Sequence, residues 1–128
     1  MFLYTDKILD HAKRPRNFGR VVDPDLQFEE FNPLCGDRIR VELRLADHSE
    51  VKEARFSGEM CAIAKASASI LFESIQGMTP TDITGIGDNQ VLENLGGPIK
   101  SNRVKCALLP IIALRGALRS SDGHATSS

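Results

Sequence analysis

Asp37-Arg38-Ile39-Arg40-Val41-Glu42-Leu43-Arg44-Leu45 places an apolar side chain at every second position, the period of a β-strand with one buried face. Ile39, Val41, Leu43 and Leu45 form the inward set; Arg38, Arg40, Glu42 and Arg44 form the outward set. Asp47-His48-Ser49 turns the chain, and Val51 to Ser57 returns as the hairpin partner with Ala54 and Phe56 facing inward. Upstream, Leu26-Gln27-Phe28-Glu29-Glu30-Phe31 alternates imperfectly and reads as a further strand. The result is a small antiparallel sheet whose apolar face helices must cover.

Two segments supply that cover. Ala62 to Gln76 carries Lys65, Ser69, Glu73 and Gln76 along one stripe and small or aliphatic residues elsewhere, which predicts a closely packed helix with Gly77 as its C-cap. Cys106 to Arg119 is strongly apolar, with Arg115 and Arg119 four positions apart. Pro110 cannot donate to the Cys106 carbonyl. Either this helix starts near Ala107 with Pro110 in its first turn, or it kinks there. Tyr4 to Lys13 reads as a short helix with Ile8, Leu9 and Ala12 on one side, closed by Pro15 and the turn Asn17-Phe18-Gly19. Thr79-Pro80-Thr81-Asp82 and Asp88 to Leu95 begin further short helices, and Gly96-Gly97-Pro98 breaks the chain. Gly85-Ile86-Gly87 is too short for a phosphate loop and reads as a connector.

With 128 residues, one core and one domain are expected, over 1–119, and the small polar residues of 120–128 read as a disordered tail. A net charge of -1 argues against nucleic acid or an anionic membrane as partner. No apolar run reaches the roughly 18 residues of a membrane span. Met1 to Asp6 meets an acid before a signal-like stretch can form. The expected location is the cytoplasm, where an odd set of cysteines reads as free, metal-bound or catalytic rather than disulfide-paired.

Cys35, Cys61 and Cys106 are the three cysteines, and Asp37 follows the first by two positions. Their spacing matches no zinc finger or ribbon, so the neighbours carry the argument. Cys35 lies in a Pro-Leu-Cys-Gly turn just before a strand. Cys61 precedes the alanine-rich helix, where the helix dipole favours thiolate. Cys106 opens the last helix beside Lys105 and near Arg103, which again should lower its pKa. A lone cysteine is ordinarily a small buried hydrophobe; three at element boundaries beside Gly, Asp or Lys point to a site. Three thiolates and the Asp37 carboxylate make a tetrahedral metal set if the fold brings them together. His11, His48 and His124 read as solvated or capping residues rather than ligands.

Several stretches together resemble the scaffold proteins of iron–sulfur cluster assembly, the IscU/SufU/NifU N-terminal family. Tyr4, Ile8, Asp10-His11, Pro15-Arg16-Asn17 and Gly19 are similar to its N-terminal helix and turn. Asn32-Pro33-Leu34-Cys35-Gly36-Asp37, Gly58 through Cys61-Ala62-Ile63 with Ala66-Ser67-Ala68-Ser69, and Lys105-Cys106-Ala107 are similar to its three ligand motifs. The resemblance implies an α+β fold, a small antiparallel three-stranded sheet covered by helices, with the cysteines converging near one exposed end. It implies that a cysteine desulfurase delivers sulfur, and that a transient [2Fe-2S] cluster is built on Cys35, Asp37, Cys61 and Cys106 and passed to apo client or carrier proteins. Zn²⁺ is the alternative occupant. Cys35 and Cys106 are the candidate persulfide acceptors, with Lys105 and Arg103 modulating them.

Departures from the family pattern shape the alternatives. Lys105 stands where IscU members have histidine, so Arg103-Val104-Lys105-Cys106-Ala107 is similar to SufU, whereas the 45-residue step from Cys61 to Cys106 is IscU-like. Met60 stands where the family usually has glycine. Gly97-Pro98-Ile99-Lys100 lies too far upstream of Cys106 to reproduce the chaperone motif of IscU, so a dedicated chaperone is not implied. A zinc-dependent sulfurtransferase partner of a desulfurase is the second reading, and a small zinc-stabilised interaction domain is the third.

Overall fold

The computed structural model describes residues 4–47 and 49–120; His48, His124 and the expected tail beyond Ser120 lie outside the described residues. Three strands, β1 (Leu26–Asn32), β2 (Asp37–Leu45) and β3 (Val51–Glu59), form one antiparallel sheet in the order β1-β2-β3. Five helices accompany it: α1 (Asp6–Lys13), α2 (Ala62–Ser74), α3 (Pro80–Thr84), α4 (Asp88–Glu93) and α5 (Val104–Ser120), the last preceded by a 3-10 turn at Ser101–Arg103. The expected α+β architecture with a three-stranded sheet is the one observed.

The alternation in β2 does what its period demands. Ile39, Val41 and Leu43 are fully buried, as are Ala54 and Phe56 of β3. Helix α5 packs across β1 and β2 and also against α2, while α1 packs on α2. The main core therefore joins the sheet to Leu71, Phe72 and Ile75 of α2 and to Leu109, Ile111 and Leu114 of α5. A second, smaller cluster holds Ile8, Ile63, Ala64, Ala66, Leu95, Cys106 and Ala107. Local signals set the helix starts. The Thr5 side chain accepts from the Ile8 amide at 3.2 Å, and Thr79 with Asp82 forms a reciprocal capping box around Pro80.

The structure corrects three expectations about polar residues. Glu42 is buried although it belongs to the outward set of β2. The segment before β1 folds over it, so that Arg20 Nε and the Val21 amide donate to Oε1 at 2.9 and 3.0 Å, and Arg40 Nε donates to Oε2 at 3.2 Å. Burial alone would raise its pKa; these donors outweigh burial and hold the carboxyl below its ordinary range. Ser69, expected on the polar stripe of α2, is fully buried, and His11, expected at the surface, is nearly so. They meet because α1 lies on α2: Ser69 Oγ is 2.7 Å from His11 Nδ1 and accepts the Arg16 amide at 2.8 Å. Leu9, expected on the buried side of α1, is exposed, its inward place taken by His11.

Burial, followed by the Arg16 charge, holds the His11 imidazole below its ordinary pKa. The unfolded chain therefore takes up this proton first as pH falls. The stabilising contribution is present above the unfolded value near 6.5 and is lost as pH drops from there toward the lower folded value. Urea midpoints measured at pH 8 and pH 5.5 should fall more for the wild type than for His11→Gln; equal falls would remove His11 as the cause.

Gly58 is the tightest backbone approach in the sheet. Its φ is +128°, and a Cβ there would sit 2.2 Å from the Arg38 carbonyl oxygen. Gly58→Ala combines strain with a clash against backbone and should cost about 2 kcal/mol or more in denaturant unfolding; a change within about 0.5 kcal/mol, the range of ordinary surface substitutions, would show that the strand end relaxes freely.

Candidate metal centre

Each of the four sequence-selected residues is placed by an element boundary. Cys35 lies in the four-residue loop of the β1–β2 hairpin, whose register pairs Asn32 with Asp37. That loop closes through the Gly36 amide on the Asn32 carbonyl at 2.8 Å and the Leu34 amide on Asn32 Oδ1 at 3.0 Å. Gly36 takes a φ of +73°, a left-handed turn position that glycine fills without strain. Asp37 is the first residue of β2, Cys61 is the N-cap of α2, and Cys106 lies in the first turn of α5.

The structure brings these residues together. The ligand atoms of Cys35, Asp37 and Cys106 all lie within 4.8 Å of one another. Cys61 stands beside this trio rather than within it: its thiol interacts with the Asp37 carboxylate and the Cys106 thiol. Its backbone amide donates to Asp37 Oδ1 at 3.0 Å. The other carboxylate oxygen, Oδ2, is buried without a hydrogen-bond partner. An unpaired buried carboxylate oxygen carries a desolvation cost that a cation would remove.

Exposure divides the thiols. Cys35 and Cys61 are half-buried and Cys106 is buried. A cleft of about 630 Å³ leads to Cys35 and Cys106, lined by these two with Asn32, Leu34, Ser101, Asn102, Arg103 and Lys105. Of these, Asn32 and Leu34 belong to the first motif read from sequence, whereas Ser101 and Asn102 carried no expectation; only their adjacency to Arg103 could have marked them.

The expected thiolate character is reversed. Burial raises the Cys61 thiol pKa, and the Asp37 carboxylate adds to the rise, although the Ala64 amide works in the opposite direction. Burial, then the neighbouring Cys35 and Cys61 sulfurs, pushes Cys106 up to about 12. Helix-start amides and cations do act here, since the Cys106 thiol holds Arg103 more firmly protonated. They are outweighed because four potential anions share one poorly solvated corner. Without a cation Cys61 and Cys106 keep their protons.

That state makes a measurable demand on any metal that binds. Thiolate is the ligand form, so zinc uptake must expel the protons of Cys61 and Cys106. Calorimetry at pH 7.5 in buffers of differing ionisation enthalpy should detect about two protons or more released per zinc, with affinity rising with pH. Zinc binding without proton release would show that these sulfurs are not its ligands.

Residues 3–126 match the family described as NifU-like N terminal domain. Among relatives, the zinc-dependent sulfurtransferase SufU of Bacillus subtilis is 36% identical over 141 aligned positions, covering 94% of this chain and 92% of that protein. An iron–sulfur cluster assembly scaffold protein IscU of Archaeoglobus fulgidus is 33% identical over 116 residues, covering 91% of this chain and 74% of that protein. The alignment with SufU is longer than this 128-residue chain, so that relative carries residues absent here. Among solved structures, a putative SUF-system scaffold from Fervidobacterium islandicum aligns with a TM-score of 0.76 and 26% identity, over 90% of this chain and 96% of that one. A NifU-like N-terminal protein from Brucella abortus shares the fold, with a TM-score of 0.79, 20% identity, and coverage of 94% and 95%.

Proposed function

Because the chain belongs to the NifU-like N-terminal domain family, we propose that it is an iron–sulfur cluster assembly scaffold. In this reading it accepts sulfur from a cysteine desulfurase, assembles a [2Fe-2S] cluster as cargo on Cys35, Asp37, Cys61 and Cys106, and releases it to apo-proteins. The observation that carries the reading is the buried, unpartnered Oδ2 of Asp37 beside three converging cysteines. A donor set of three sulfurs and one carboxylate suits iron–sulfur chemistry through its soft ligands. Its single hard oxygen makes one bond weaker than the rest, which suits a cluster that must leave.

Sulfur delivery sorts the thiols by access. A persulfide on the desulfurase transfers its outer sulfur when an acceptor thiolate attacks it. The old sulfur–sulfur bond breaks, the donor leaves as thiolate, and no net oxidation occurs. Cys35, half-buried on a hairpin loop, lines the open cleft and is reachable by such a donor; Cys61 is half-buried but does not line it, and Cys106 is 1% exposed. We assign first acceptance to Cys35. Arg103 interacts with the Cys106 thiol, and it and Lys105 line the same cleft, where their charge compensates the thiolates formed as metal binds.

A second reading, a zinc-dependent sulfurtransferase partner, draws on the SufU relative and on the fit of four such donors to tetrahedral zinc. The SufU-specific residues that this chain lacks count against it. Anaerobic reconstitution with iron, cysteine, a desulfurase and a thiol reductant, which supplies the electrons that turn persulfide sulfur into sulfide, separates the two. The scaffold predicts a visible cluster chromophore with acid-labile sulfide, lost in Cys35→Ser, Cys61→Ser and Cys106→Ser. Tightly held zinc, strong stimulation of the desulfurase and no chromophore would overturn it in favour of sulfur transfer.

A further inference from the structure

Pro110 lies in the interior of α5 and is buried. The helix runs through it from Val104, so the start expected near Ala107, one of the two alternatives read from sequence, is not the one observed. A proline has no amide hydrogen, and its ring crowds the carbonyl four residues earlier, which here belongs to Cys106. That carbonyl receives no intrahelical hydrogen bond from position 110. The turn bearing Cys106 is then joined to the rest of α5 through the Leu108, Leu109 and Ile111 amides, which reach back to Val104, Lys105 and Ala107 in helical geometry, with the bond between them missing.

Two further observations fall at the same place. The next carbonyl, that of Ala107, accepts from the Ser67 hydroxyl of α2 at 2.6 Å, with both residues buried. This bond ties the turn to α2 at the carbonyl next to the one that Pro110 leaves without its donor. The division of the core coincides with it: Cys106 and Ala107 belong to the small cluster with Ile63 and Ala64, whereas Leu109, Ile111 and Leu114 belong to the main core. Helix α5 thus changes its packing partners between Ala107 and Leu109, just ahead of the missing hydrogen bond.

We propose that Pro110 and Ser67 form a hinge that lets the first turn of α5 carry Cys106 away from a bound metal or cluster. Pro110 weakens the joint between that turn and the rest of the helix. Ser67 pins the turn to α2, the helix whose N-cap is Cys61, and so governs how readily it leaves and returns. Both are positioning residues acting through Cys106. The proposal rests on the reading of Cys106 as a ligand.

The test uses the full chain loaded with Zn²⁺, with release followed by a chromophoric chelator, and amide exchange measured on the metal-free protein. Pro110→Ala restores a donor to the Cys106 carbonyl, and alanine favours the helical state. It should slow both zinc release and exchange at Leu108 and Leu109 by roughly three- to ten-fold, the factor one net hydrogen bond confers. Ser67→Ala should hasten both. Exchange at Leu114 and Ala117, beyond the proline, should stay unchanged in each variant, whereas a general stability effect would move it. Zinc release from Pro110→Ala at the wild-type rate or faster overturns the hinge. A wild-type chain that takes up no zinc overturns the ligand reading and the release role with it, while the Leu108 and Leu109 rates still decide whether the joint itself exists.

Discussion

The candidate site depends on one hydrogen bond, from the Cys61 amide to Oδ1 of Asp37 at 3.0 Å. It ties the first residue of β2 to the N-cap of α2, and so locks the hairpin that presents Cys35 against the helix that begins at Cys61. A helix start always leaves amides unsatisfied, and the Cys61 side chain supplies no capping bond of its own. Asp37 answers that need with one oxygen. Its other oxygen is buried without a partner, a cost that falls, among the described residues, on this side chain alone. A carboxylate used half for architecture cannot leave the site freely, and on the proposed reading its second oxygen is the one left to bind a cation.

The thiols complete that balance from the opposite side. In the metal-free state burial keeps protons on Cys61 and Cys106, so the corner avoids gathering several negative charges around Asp37. A soft cation reverses this by replacing protons with metal–sulfur bonds. Arg103 and Lys105, at the start of α5 where the helix dipole disfavours cations, have their counter-charge in the thiolates that form. On the proposed reading the site exchanges protons for metal, and its affinity is coupled to solvent acidity as well as to donor geometry.

The alternating run from Ile39 to Leu45 made the sheet legible, because a period of two with one buried face admits few other arrangements. The cysteine neighbourhood was legible for a different reason: turns and helix starts carry local residue signals, and Cys35, Cys61 and Cys106 each sit on one. The residues misjudged all depend on contacts distant in sequence. Glu42 is buried by Arg20 and Val21 across more than twenty positions, and Ser69 meets His11 across 58. Pattern along one element cannot show that a polar stripe has found another polar stripe. The thiol protonation was misjudged because helix-start amides are visible in sequence, whereas the burial that outweighs them belongs to the assembled corner.

The placement of the ligands relative to the core explains how a stable fold can carry a labile site. Phe56, Phe72, Leu43, Ile111 and Leu114, among the largest fully buried side chains, belong to the main core beneath the sheet. The cluster beside the ligands is built largely from alanines and isoleucines, with Cys35 and Cys61 packed at its edge. Alanine buries little area, and apolar stabilisation scales with area removed from water. Displacing the first turn of α5 therefore disturbs the weaker cluster and leaves Leu109, Ile111 and Leu114 seated. On the proposed reading, a fold that had placed Cys106 one turn later, among those side chains, would tie a bound metal to the core and oppose its release.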